Sequence, residues 1–248
     1  MAEENTIQGK AAEKLLIVNA DDLGLSAGVN RGIFEAHERG IVTSASLMVR
    51  WPGAEEAAVY AKEHGRLGIG LHLDFSEWAI VDGEWATLYE VVDLNDAAAV
   101  RREVGRQVEV FLRLMGRGPT HVDSHQHVHR DSRVWGIVVE EARRLGVWLR
   151  HGEGVRYCGE FYGQDEMGGA YHLGIGVENL VRMIGEAGMG VTEVACHPGY
   201  DDGLATMYRV EREMEVAALC DARVRAAIER VGVRLVSFGE ATAIRPSS

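Results

Sequence analysis

Short apolar runs rich in β-branched residues alternate with longer helical patterns along the whole chain, and no other feature limits the fold as much. Runs at 15–18, 43–49, 67–73, 120–123, 147–150, 192–196 and 233–238 read as strands, bounded by Gly, Pro or Asp. Between them, a helix is expected after Ser26, a fitting N-cap, with Val29, Ile33, Phe34 and His37 along one stripe. A second follows Pro52 and stops near Gly65, and others are expected over 97–115, 131–145, 177–187 and 209–230. Alternating strands and helices predict an α/β fold, a mostly parallel sheet of about seven strands covered by helices, with right-handed crossovers.

Two architectures fit that pattern, an open doubly wound sheet and a closed or distorted (β/α) barrel. No Gly-x-Gly-x-x-Gly follows the first strand, so a dinucleotide site is not signalled. Acids and histidines stand instead at the ends of several strands, which suits a barrel whose site is built at the C-terminal strand ends. The stretch 74–95 lacks clear periodicity and reads as a substrate loop or an ordinary surface excursion. The Gly-rich stretch 151–176 reads as a second such loop or a flexible surface connection.

Length and charge narrow the class. A chain of 248 residues builds one domain with a large core, taken here as 14–248 after a flexible segment 1–13. The net charge of −12 argues against nucleic acid as a partner. No apolar run approaches the length of a membrane span, and the acidic, polar start is unlike a signal peptide. Three cysteines at no metal or redox spacing fit a reduced, cytoplasmic protein.

Four short motifs carry the chemistry. In HVDSHQHVH (121–129), histidines occupy alternate positions with Asp123 completing the alternation, so His121, Asp123, His125, His127 and His129 share a face for as long as the backbone stays extended. A cluster of imidazoles and a carboxylate points to metal or proton chemistry, although an exposed loop can also be His-rich by accident. One ion cannot take all four rings, so some must support the ligands or face a substrate. In NADDLG (19–24), two adjacent carboxylates follow an apolar strand, where one can hold a metal while the other stays free as a base; such pairs also cap helices and make turns. In GLHLDF (70–75), His72 ends an apolar strand as a ligand or as a satisfied core histidine, and Asp74 has the parity to orient it. In CHPGY (196–200), His197 before Pro198 is a candidate general acid or a turn histidine bonded to backbone, and Cys196 reads as a small buried apolar residue. Arg150 can tune Asp21, hold an oxyanion, or form a surface ion pair. Trp78, Trp85 and Tyr200 can stack on a flat face of a ligand or simply pack.

In this order and at these separations, the four motifs resemble the YdjC-like carbohydrate deacetylases, which include chitooligosaccharide and hopanoid-biosynthesis deacetylases. The resemblance runs from about Leu15 to Phe238. Leu23 departs from the usual NADDFG, and intact Asp123-Ser124-His125 resembles the sugar branch. It implies a distorted (β/α) barrel related to the polysaccharide deacetylases, a homodimer, and one divalent metal ion held by Asp22, His72 and His125. It also implies Asp21 as base, His197 as acid, and removal of acetyl groups from an N-acetylated sugar or oligosaccharide. Arg150, Asp74 and Tyr200 are expected near the substrate. Magnesium and zinc lead the candidate ions, although the ligand set also accepts cobalt, iron or manganese. Two alternatives remain: another metal hydrolase on the same barrel, acting on phosphoesters or cyclic amides with two metals and the surplus His121, His127 and His129, or a sugar-binding protein without catalysis.

Overall fold

A computed structural model describes residues 13–244. The expected flexible segment 1–13 therefore lies, except for Glu13, outside the described residues. In chain order the elements are β1 (Lys14–Leu23), α1 (Ala27–Glu38), β2 (Ser44–Leu47), α2 (Ala54–Glu63), β3 (Gly68–Leu73), β4 (Ser76–Val81), β5 (Glu84–Glu90), α3 (Ala97–Met115) and β6 (His121–Ser124). There follow α4 (Ser132–Leu145), β7 (Trp148–Leu149), β8 (Val155–Cys158), α5 (Val177–Gly185), β9 (Gly190–Cys196), α6 (Val210–Leu219), α7 (Ala222–Val231), β10 (Arg234–Leu235) and α8 (Phe238–Ile244).

Every pair in the main sheet is parallel, and the order is β7-β6-β3-β2-β1-β9-β8, with β10 also on β1. Helices cover the sheet, so the strands are buried along their length and read as near-continuous apolar runs. The sheet is strongly curled. Arg150 directly follows edge strand β7, yet its guanidinium bonds Asp21 on β1 and Glu193 on β9 at 2.6–2.8 Å. In a flat sheet with strands ~4.8 Å apart, β7 and β9 would lie roughly 24 Å from each other, beyond any arginine. The architecture is thus the distorted (β/α) barrel expected from the sequence, with parallel strands delivering their C-terminal ends to one mouth.

The helices dock by ordinary periodicity. Ser26 accepts a hydrogen bond from the Val29 amide as the N-cap of α1. On α3, Val100, Val104, Val108, Phe111 and Met115 form the buried stripe. Gly32 lets α1 lie against the loop after β9: a Cβ there would sit 2.4 Å from the Gly199 Cα.

Several elements differ from the sequence expectation. The stretch 74–95 contains an antiparallel hairpin, β4 on β5, turning at Asp82-Gly83, both with positive φ as a type I′ turn requires. The stretch 151–176 contains β8, which pairs with β9. The helix expected over 209–230 breaks at Asp221, whose carboxylate accepts from the Arg223 amide to cap α7. The strand expected over 233–238 shortens to Arg234–Leu235. Among the described residues, no helix is long and apolar enough to cross a membrane.

Candidate metal centre and cavity

The two acids that end β1 come first. On a regular strand neighbours point to opposite faces. Here the β1–β2 register shifts between Ala20 and Leu23, and Asp22 takes a left-handed φ of 65°, so Asp21 and Asp22 both line one cavity. Asp22 Oδ1 lies 2.9 Å from His125 Nδ1 and 3.4 Å from His72 Nε2. Its other oxygen accepts from Arg212 on α6 at 2.7 Å. One ligand atom from each of Asp22, His72 and His125 falls within 4.8 Å of the others. The Nε2 of His125 is buried without a hydrogen-bond partner. One carboxylate, two imidazoles and an orphaned ring nitrogen fit a divalent cation that leaves positions open.

His72 is oriented by Asp123, not by Asp74 as the sequence parity suggested. His72 and Asp123 are register partners across β3 and β6, and Nδ1 meets Asp123 Oδ1 at 2.8 Å. Asp123 also accepts from the Ser46 hydroxyl at 2.7 Å and forms an ion pair with Arg150 at 3.0 Å. Burial opposes charge on His72, but Asp123 and Asp21 outweigh it and push its pKa up to about 10. A bound cation would displace that proton, since a ligand imidazole must be neutral. Burial likewise opposes charge on Asp22, yet Arg212 and His125 hold it well below the usual carboxylate range.

Asp21 has a different environment. Arg150, fully buried, donates to its two oxygens at 2.6 and 2.7 Å, and Asn19 donates a third bond at 2.8 Å. Against the burial penalty, Arg150 lowers its pKa. Arg150 is thus a buried anchor of Asp21, Asp123 and Glu193; it is neither a surface ion pair nor part of the cavity lining. Opposite Asp21 stands His197, with Nε2 3.8 Å from Asp21 Oδ2. Burial pulls its pKa down to about 4. Behind it, Glu215 on α6 accepts from the His197 amide and the Tyr208 hydroxyl, and burial pushes its pKa up to about 8.

Asp21, Asp22, His72, His125, His197 and Arg212 line a cavity of about 580 Å³, within the usual size of small-molecule sites, with Trp78 and Trp85 of the hairpin, Tyr162 and Tyr208 on its walls. Tyr200 and Asp74 are not on its surface. The Tyr200 hydroxyl donates to Glu35 on α1, beneath Arg31. Asp74 accepts from Trp51 and from Tyr89 on β5, so it anchors the hairpin that carries the tryptophans. Alternation in 121–129 ends with β6 at Ser124; the next residues form a tight 3₁₀ turn with Gln126 and His127 in left-handed conformations. His121 stays in the core under Phe238, while His127, still on the cavity wall, and His129 pack against His151. Glu215 and Arg212 went unread in the sequence because nothing distinguishes them from surface residues of an amphipathic helix. Glu193 left a signal, a lone acid inside the strand TEVAC.

The family described as YdjC-like protein matches residues 15–230. A carbohydrate deacetylase from Geobacillus stearothermophilus is 35% identical, over 90% of this chain and 96% of its own length. A chitooligosaccharide deacetylase from Salmonella paratyphi B is 33% identical, over 91% and 98%. Among solved structures, a protein of Enterococcus faecalis V583, provisionally named for cellobiose-phosphate cleavage, superposes with a TM-score of 0.75 at 26% identity, over 92% of this chain and 99% of that one. A family 4 carbohydrate esterase from Streptomyces lividans shares the fold at a TM-score of 0.55 and 11% identity, over 92% and 93%.

Proposed function

The chain belongs to the YdjC-like family, and on that premise we propose that it is a metal-dependent carbohydrate deacetylase that hydrolyses the acetamide of N-acetylated sugars of the chitooligosaccharide type. The observation that carries this reading is the convergence of Asp22, His72 and His125 beside a separate acid, Asp21, in one cavity walled by aromatic rings. Asp22, His72 and His125 would hold the cation, which when bound acidifies water and polarises the amide carbonyl. The two imidazoles of that donor set suit zinc, and its carboxylate suits zinc or magnesium.

Each remaining role follows from this chain's own contacts. Asp21 is kept ionised and aimed by the two bonds from Arg150, and as general base it takes the proton of the attacking water. His197, on the opposite side, passes a proton to the departing amine, because an amide nitrogen leaves poorly unless protonated. Burial lowers the pKa of His197, so the ring gains that proton during the cycle, and Asp21, which has just taken it from water, stands with Oδ2 3.8 Å from Nε2 to hand it on. Trp78 and Trp85, each about half exposed on the hairpin, offer faces for sugar rings. The three free cysteines support a reducing, cytoplasmic setting, and the family resemblance supports a homodimer.

Acetate release from a panel of N-acetylated mono- and disaccharides, with and without a chelator, tests the reading. Chelator-sensitive release is expected. A fully metal-loaded protein that binds such sugars and releases no acetate refutes it.

A further inference from the structure

His127, His129 and His151 have no part in the chemistry above, yet they form the tightest histidine cluster among the described residues. His127 and His129 lie in the turn after β6, and His151 follows Arg150 at the end of β7. Each offers a ring nitrogen, and the three atoms lie within 4.8 Å of one another. The ring centroids are 5.2, 5.5 and 5.9 Å apart. The Nδ1 of His127 and the Nε2 atoms of His129 and His151 are all buried, and none has a hydrogen-bond partner. Buried polar groups are almost always satisfied, so three adjoining rings that each leave a buried nitrogen without a partner call for a shared ligand.

The other sides of two rings are already fixed. His127 Nε2 meets the Tyr157 hydroxyl at 3.0 Å, and His129 Nδ1 meets the Ser124 hydroxyl at 2.8 Å. Supporting bonds of this kind set tautomer and orientation in metal-ligating histidines. His127 and His151 also hold left-handed backbone, φ 55° and 63°, a conformation that persists only where the surroundings impose it. His129 is wholly buried. Burial keeps His129 and His151 neutral, down to about 3 and about 4, so both rings retain a free lone pair at neutral pH. The nearby positive charge of Arg150 is already matched by Asp21, Asp123 and Glu193.

We propose that His127, His129 and His151 form a second metal site, a three-imidazole cradle for a transition-metal dication of the zinc class. Imidazole donors favour zinc, cobalt, nickel and copper and disfavour magnesium. The three nitrogens need only close to roughly 3.3 Å from one another to meet tetrahedral bonds of about 2.0–2.1 Å. The site joins the turn after β6 to the end of β7. It thereby clamps the turn that begins with His125, and it does not depend on the deacetylase reading.

Cobalt(II) is the probe. The full-length protein is stripped with chelator and dialysed against cobalt, and bound metal is measured by elemental analysis and by visible absorption. Two equivalents per chain are expected for the wild type and one for His151→Ala. Asp22→Ala should also hold one, with the intense visible bands of a four-coordinate nitrogen site, and the double variant should hold none. Circular dichroism checks folding, and His129→Gln replaces His151→Ala if that variant does not fold. A single wild-type equivalent that is lost in Asp22→Ala and kept in His151→Ala overturns the proposal. So do two equivalents that both survive His151→Ala. Acetate release reads the other site separately.

Discussion

Glu215→Gln isolates the cost of one buried acid. The Glu215 side chain is wholly inaccessible, and its oxygens accept from the His197 amide and the Tyr208 hydroxyl. Burial raises its pKa from 4.5 to about 8 even though both hydrogen bonds and Arg212 oppose the shift. The folded state therefore holds a proton that the unfolded state releases between those values. Stability from this group is complete below pH 4.5 and is lost as pH rises toward 8, by about 1.4 kcal/mol per unit and roughly 5 kcal/mol in all. Glutamine imitates the protonated acid and cannot ionise, so the variant has no such slope. Guanidinium unfolding of both proteins at pH 5, 6, 7 and 8, in one metal-free buffer, gives the difference directly. The variant should gain on the wild type by roughly 3 kcal/mol between pH 5 and 7.5. Difference values constant to within about 0.5 kcal/mol across that range would show that Glu215 ionises normally and that burial does not control it.

Other outcomes follow from the same contacts. Asp21→Asn should keep the metal and lose about 10²–10⁴-fold in turnover, whereas Asp22→Asn should lose the metal on dialysis; the reverse pattern exchanges the two roles. Asp123→Ala removes the partner of His72 Nδ1, and metal affinity measured by competition with a fluorescent chelator should fall about 10–100-fold. Gly32→Ala drives a Cβ into the Gly199 backbone at 2.4 Å, which should cost about 1–3 kcal/mol and lower the melting temperature by at least ~2 °C in a calorimetric scan.

The barrel was legible because its strands are buried on both faces, which leaves long apolar runs such as LLIV and LGIGLHL with acids and histidines at their ends. Strands of two residues, Trp148–Leu149 and Arg234–Leu235, are too short to show any period. The hairpin did leave a signal, Asp82-Gly83, although its second strand, β5, is largely exposed and gave none. At the site, the family resemblance named Asp22, His72 and His125, which lie together in the structure, but it did not name their supports. Parity along one strand favoured Asp74 as the partner of His72, while register across two strands supplied Asp123. The alternation of histidines also gave no warning that the backbone turns at His125, since a 3₁₀ turn leaves no mark on a period of two. Nor does local sequence show Arg212 reaching Asp22 from another element.

That reach has a consequence for how the molecule is made. The adjacent acids of β1 are synthesised early, but their guanidinium partners follow 129 and 190 residues later. Central strand β1 likewise waits for β9 before its second edge is paired. A nascent chain that has not reached α6 carries two neighbouring carboxylates and has no Arg212 to hold Asp22. The charge balance of the site is therefore completed late in synthesis, by contacts that span most of the chain, and contacts of that separation slow the folding search.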